Sequence, residues 1–95
     1  MTKENERYLA MHHMCGINKG DIVKVLRRAQ GYEMGWDSFW TPYMDKFVGK
    51  ECIVTSDNGV YGFLLQKSEY PLELHFPFFV LEKIKGENNE NKKSI

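Results

Sequence analysis

His12-His13-Met14-Cys15 places two imidazoles and a thiol within four residues, and both are ligand types that zinc accepts. A second pair at finger spacing is missing, and adjacent histidines on a helix point about 100° apart. The spacing therefore predicts a helix surface with one half-buried histidine rather than a metal centre. Cys52 and His75 would need to meet across a sheet, with a third group orienting the base, to form a nucleophilic pair. Cys52 lies inside the hydrophobic run Glu51–Ser56, where a thiol is packing, and His75 alternates with Leu74 and Phe76, so it is expected to face outward. The sequence has no Gly-rich phosphate loop, no His/Glu zinc helix and no serine in a nucleophile elbow. The expectation is a protein that is not an enzyme, with no catalytic residues, no metal and no cofactor.

The most informative segment is residues 30–47, where Tyr32, Trp36, Phe39, Trp40 and Tyr43 interleave with Glu33, Asp37 and Asp45. Trp and Tyr are enriched at interface hot spots, and long loops without their own secondary structure tend to carry function. The functional reading makes Tyr32, Trp36, Asp37, Trp40 and Tyr43 a partner-binding surface. The competing reading folds Trp36 and Trp40, four residues apart, back over one end of the core, because a small domain needs large aromatics inside. The loop's negative charge argues against nucleic acid there, since strand-stacking aromatics are interleaved with Lys and Arg. A second group, Lys24, Arg27 and Arg28, carries the alternative of nucleic-acid binding. On a strand, however, Lys24 shares a face with Ile22 and Leu26 while Arg27 shares the other with Val25.

These residues need elements to hold them. Tyr8, Met11 and Cys15 recur at helical spacing and predict an amphipathic helix over 6–15, with 1–6 frayed and Gly16 as terminator. From Asn18-Lys19-Gly20 onward the period falls to two. Strands are predicted over 21–27, 51–56, 60–65, 72–76 and 80–83, with a single helical turn at 44–47. Asn58-Gly59 predicts a type I′ hairpin. Tyr61, Phe63 and Leu65 would share one strand face, and Gly62 would admit a close neighbour on the other. Phe76-Pro77-Phe78-Phe79 predicts a tight turn that drops aromatics into the core. From Lys85 to Ile95 the composition is Asn, Glu, Lys and Ser, a disordered tail.

The 95 residues carry 13 basic and 13 acidic side chains, with 42% hydrophobic and 14% aromatic content. That length bounds the chain to one domain. No apolar run reaches the ~20 residues of a membrane helix, and no leader pattern opens the chain. Zero net charge disfavours a polyanion mimic or a purely electrostatic nucleic-acid binder. Neutrality conceals segregation: residues 1–30 hold six basic and three acidic groups, and residues 31–60 hold two and five. Either ordinary solvated surfaces segregate this way, or two complementary faces serve self-association or a partner. Two cysteines without a secretory leader imply a reducing compartment and free thiols at Cys15 and Cys52.

Five short strands, a long loop after the first, a tight hairpin and an aromatic turn before the last resemble an SH3-like barrel. Its long loop offers an aromatic groove to proline-rich peptides, with acids receiving Arg or Lys. Lys19-Gly20-Asp21-Ile22-Val23-Lys24-Val25-Leu26 and Val48-Gly49-Lys50-Glu51-Cys52-Ile53-Val54 resemble the two halves of a KOW motif, though Cys52 stands where a second glycine is usual and the intervening loop is far longer. Over residues 19–83, Gly20-Asp21, Val23 to Ala29, Gly35-Trp36, Trp40, Met44-Asp45, Gly49-Lys50, Phe76-Pro77 and Phe79 to Glu82 resemble small uncharacterised tailed-phage proteins. That resemblance implies a phage or prophage origin and a host-cytoplasm location, and carries no site residues. The expected architecture is mainly β: an N-terminal helix (1–17), a five-stranded SH3-like barrel (18–84) and a tail (85–95). The expected function is a non-enzymatic protein-binding module acting on a host or phage protein. A KOW-like nucleic-acid accessory domain is the alternative, and a homo-oligomer paired through its helix is a further arrangement.

Overall fold

The computed structural model describes residues 1–66 and 74–85. The first element, α1 (Lys3–Met14), starts earlier than the apolar pattern predicts because its cap lies upstream of that pattern. Thr2 Oγ1 accepts the Asn5 amide at 3.0 Å and Asn5 Oδ1 accepts the Thr2 amide at 3.1 Å, satisfying two otherwise orphaned N–H groups. Residues 3–6 are therefore helical rather than frayed. The buried stripe also differs from expectation: Tyr8 and His12 face inward, while Met11 is half exposed. The histidine predicted to be half-buried is fully buried. The helix ends just before Gly16, as its position predicts.

Five strands follow: β1 (Ile22–Val25), β2 (Glu51–Asp57), β3 (Phe63–Gln66), β4 (His75–Phe76) and β5 (Leu81–Lys85). They form one antiparallel sheet in the order β4-β3-β2-β1-β5. The sheet is open, with its first and last strands as edges. Alternation places Val23, Val25, Cys52, Val54, Phe63 and Leu65 on the core face, against Phe76, Val80 and Leu81. Glu51 and Ile53 of β2 face solvent.

Short 3₁₀ turns connect these strands, over Glu33–Gly35, Pro42–Phe47, Gly59–Tyr61 and Phe78–Val80. The second contains the predicted turn at 44–47, and the last overlaps the predicted aromatic turn at Phe78 and Phe79, Phe76 lying in β4. The hairpin between β2 and β3 exists, but its turn is not type I′: Asn58 has φ −108° and a 3₁₀ turn follows. The Asn58 side chain explains the difference. It accepts from Ser56 Oγ at 2.7 Å and pairs with His75 Nε2 at 2.9 Å, tying the turn to β4. Tyr61 consequently sits in the turn, half exposed, and does not share the strand face of Phe63 and Leu65. Gly62 does admit a close neighbour: at φ +109°, a Cβ there would stand 2.5 Å from the Phe76 carbonyl oxygen and 3.2 Å from Trp36 Nε1.

Lys85 pairs with Ile22 within β5, so the expected tail boundary moves past it. Of the strand expected over 72–76, residues 75–76 form β4, while 72–73 and the tail from residue 86 lie outside the described residues. Both cysteines are free thiols, Cys52 buried and Cys15 half-buried.

Candidate binding loop and the helix that clamps it

Trp36 determines how residues 30–47 are held. Its side chain is fully buried, and Nε1 donates to the Tyr61 carbonyl at 2.6 Å. The backbone on either side is tied down as well. Tyr32 N donates to Ser38 O at 2.8 Å, Trp36 N to Glu33 O at 3.0 Å, and Asp37 N to Val60 O at 3.0 Å. Trp36 is therefore an anchor in the core and offers no surface to a partner. This is the core reading of that tryptophan, and the reason is the indole N–H: once buried it requires an acceptor, and the β2–β3 turn provides one.

Helix α1 closes over the anchored tip. Asn5 Nδ2 donates to the Gly35 carbonyl at 2.8 Å. Gly35 has φ +87°, and a Cβ there would collide with the Glu4 carbonyl, so only glycine allows the helix to lie this close. A second clamp is a buried polar chain. Phe78 N donates to the Tyr8 hydroxyl at 3.2 Å, Tyr8 OH lies 3.1 Å from His12 Nδ1, and His12 Nε2 lies 2.7 Å from Asp57 Oδ1. A consistent hydrogen-bond assignment has Tyr8 O–H donating to Nδ1 and Nε2–H donating to the carboxylate. The His12 ring stacks on Phe63 at 4.2 Å and 15°. Burial pushes the Tyr8 hydroxyl well above the usual phenol range; the Phe78 amide acts in the opposite direction, and the Cys15 and Asp57 charges add to the rise. Burial likewise raises the Cys15 thiol, the direction opposite to that of an activated nucleophile.

Anchored on both sides of its tip, the loop holds Tyr32 at φ +59° and Met34 at φ +54°. These are the only non-glycine residues with positive φ among the described residues. Left-handed backbone costs an L-residue about 1–2 kcal/mol, and strain of this kind concentrates at functional sites. Both side chains point outward, with Tyr32 63% and Met34 55% exposed. With Arg7 and Met11 of α1 they line a groove of about 340 Å³.

The remaining predicted residues divide into separate groups. Trp40 is partly buried against the core, edge-on to Phe76, and Nε1 donates to Asp45 Oδ1 at 2.7 Å. It lines a second, polar cleft of about 630 Å³ together with Arg27, Arg28, Gln30 and Glu33. Tyr43 is half exposed on the 3₁₀ turn over Pro42–Phe47, and Asp37 is half-buried. The five aromatic and acidic candidates therefore form no single surface. Tyr32 belongs to the groove, Trp40 to the cleft and Trp36 to the core.

The acids of the loop are largely neutralised from within. Arg27 Nη2 pairs with Glu33 Oε2 at 3.1 Å, and Arg28 Nε with Asp45 Oδ1 at 3.3 Å. Arg27 also sits over the Phe79 ring at 5.4 Å and donates to the Arg28 carbonyl at 2.8 Å. Partial desolvation acts to raise the Glu33 carboxyl, but the Gln30 amide and the Arg27 guanidinium outweigh it and hold the group below the usual range. Arg27 and Arg28, candidates for phosphate contact, thus each face a carboxylate, and Lys24 lies apart on β1 opposite Glu51. Part of the charge segregation along the chain is consumed within the fold.

Sequence reasoning missed Met34, Met11 and the Tyr8–His12–Asp57 chain. The i, i+4 spacing of Tyr8 and His12 was a usable signal for the last of these. The left-handed backbone at Met34 has none, because methionine does not announce it. Comparison with protein-family models, curated proteins and solved structures finds no match.

Proposed function

We propose that this chain is a non-enzymatic protein-binding module whose contact surface is the outer rim of the loop at Tyr32 and Met34, completed by Met11 and Arg7 of α1. One observation carries the reading: two neighbouring positions in strained backbone both hold large apolar side chains in solvent. Stability alone would favour glycine or asparagine at such positions. Tyrosine and methionine suit recognition, tyrosine as a rigid anchor and methionine as a side chain that adapts to its partner's shape.

The finer fold reading accompanies it. Five antiparallel strands, a long loop after β1 and a 3₁₀ turn before β5 support an opened SH3-like barrel, with the loop in the place such folds use for recognition. A phage-encoded protein acting on a host or phage polypeptide in the host cytoplasm is the setting proposed for it. The test is affinity capture with the wild type and with a Tyr32→Ser/Met34→Ser double variant whose circular dichroism is unchanged. Loss of captured polypeptides in the variant supports the proposal, and an identical captured set refutes it.

A further inference from the structure

We infer that the second cleft, beside the groove, binds a carboxylate side chain of an acidic partner segment through Arg28, with the aliphatic stem of that side chain lying against Trp40. The inference rests on the reading above and names the charge of the partner, which is opposite to what an acidic loop suggests at first sight. Glu33 and Asp45 already receive Arg27 and Arg28 from the same chain, leaving little call for a basic peptide at this end of the loop.

The exposures of the four ionised groups decide the sign of the surface. The arginines are the outer members of their pairs: side-chain exposure is 71% for Arg28 against 39% for Asp45, and 50% for Arg27 against 23% for Glu33. A ligand approaching the cleft therefore meets guanidinium before carboxylate. Arg28 lies beside Asp45 as an exposed ion pair at 3.3 Å. Its Nε faces Asp45 Oδ1, the same oxygen that accepts Trp40 Nε1, so one carboxylate brings the guanidinium and the indole to one place. The terminal Nη groups of Arg28 have no partner among the described residues, and a guanidinium fork suits one planar carboxylate. Arg27 is engaged by Glu33, by the Arg28 carbonyl and by the Phe79 ring.

A nucleic-acid strand fits less well. It requires a continuous cationic track for successive phosphates, and here each of the two arginines is paired with a carboxylate, Glu33 or Asp45. One free fork beside one indole matches a single acidic side chain.

Poly-L-glutamate serves as the probe, titrated at low salt into uniformly ¹⁵N-labelled full-length protein, with a ten-residue oligothymidylate as the comparison. The Trp40 indole N–H and the Arg28 Nε–H should shift saturably with polyglutamate. Arg28→Gln should weaken that response about tenfold or more, the scale of a lost charged hydrogen-bond pair. If Arg28→Gln loses spectral dispersion, Arg28→Lys retains the charge without the fork and should still weaken the response. The Tyr32→Ser/Met34→Ser variant should bind polyglutamate as the wild type does, so the cleft and the groove fail independently. Absence of these shifts, a response unchanged by either Arg28 variant, or shifts produced by oligothymidylate and not by polyglutamate would each overturn the inference.

Discussion

Replacing Met34 by alanine and, separately, by glycine isolates the strain on which the proposed recognition surface depends. Both variants remove the same side chain beyond Cβ, so both lose the same contacts in the groove, and their difference reports the backbone alone. At an ordinary site alanine is the more stable of the two by about 0.5–1 kcal/mol, because glycine has more freedom to lose on folding. Position 34 has φ +54° and ψ +30°, where any L-residue carries about 1–2 kcal/mol that glycine does not. Subtracting the glycine penalty reverses the order: Met34→Gly should be the more stable by roughly 0.7 kcal/mol. For a domain of this size that is about 3–5 °C in Tm. Thermal unfolding of both variants by circular dichroism at one protein concentration is the assay. An alanine variant as stable as the glycine variant, or more so, would mean that position 34 is unstrained and would remove the argument for function built on it.

Gly62→Ala should cost more than about 2 kcal/mol, because the new methyl meets the Phe76 carbonyl at φ +109°, and chemical denaturation should show a lower midpoint. Tyr8→Phe removes the hydroxyl that joins His12 to the Phe78 amide and should lower stability by about 1–3 kcal/mol near neutral pH. The same substitution should flatten the alkaline limb of the stability curve. The buried phenol of the wild type resists ionisation, so its contribution is fully present below the unfolded-state value near ~10 and declines as pH rises beyond it. Glu33→Gln should act at the acid end. The folded carboxyl is held low, so its contribution is present above the ordinary value near ~4.3 and is lost as pH falls through the folded one. The wild-type advantage over that variant should shrink on acidification, and a constant or growing difference would contradict the Arg27–Glu33 pair.

Much of the fold is legible in the sequence for local reasons. Alternation in Ile22–Val25 and Glu51–Ser56, the glycine after α1 and the glycine at 62 each speak through backbone sterics or periodicity. The start of α1 is hidden from the apolar pattern because its cap is a reciprocal Thr2–Asn5 pair rather than an apolar residue. The Asn58-Gly59 turn departs from type I′ because a tertiary partner, His75, takes up the Asn58 side chain and overrides a strong local preference. The site was only half visible. Composition identified the aromatic loop, but which tryptophan turns inward depends on a carbonyl at Tyr61, 25 residues away in sequence. Charge along the chain is visible too, whereas the pairing of Arg27 with Glu33 and Arg28 with Asp45, which offsets two of the loop's three acids, requires the fold.

The recognition surface is tested most directly by photo-crosslinking. A photoreactive phenylalanine analogue placed at Tyr32 can be compared in the same lysate with one at Ile53, an exposed apolar position on the outer face of β2. Discrete crosslinks to polypeptide from position 32, absent from position 53, are the predicted result. Crosslinking that is absent at 32, or equal at the two positions, would contradict the assignment of this loop as the contact surface.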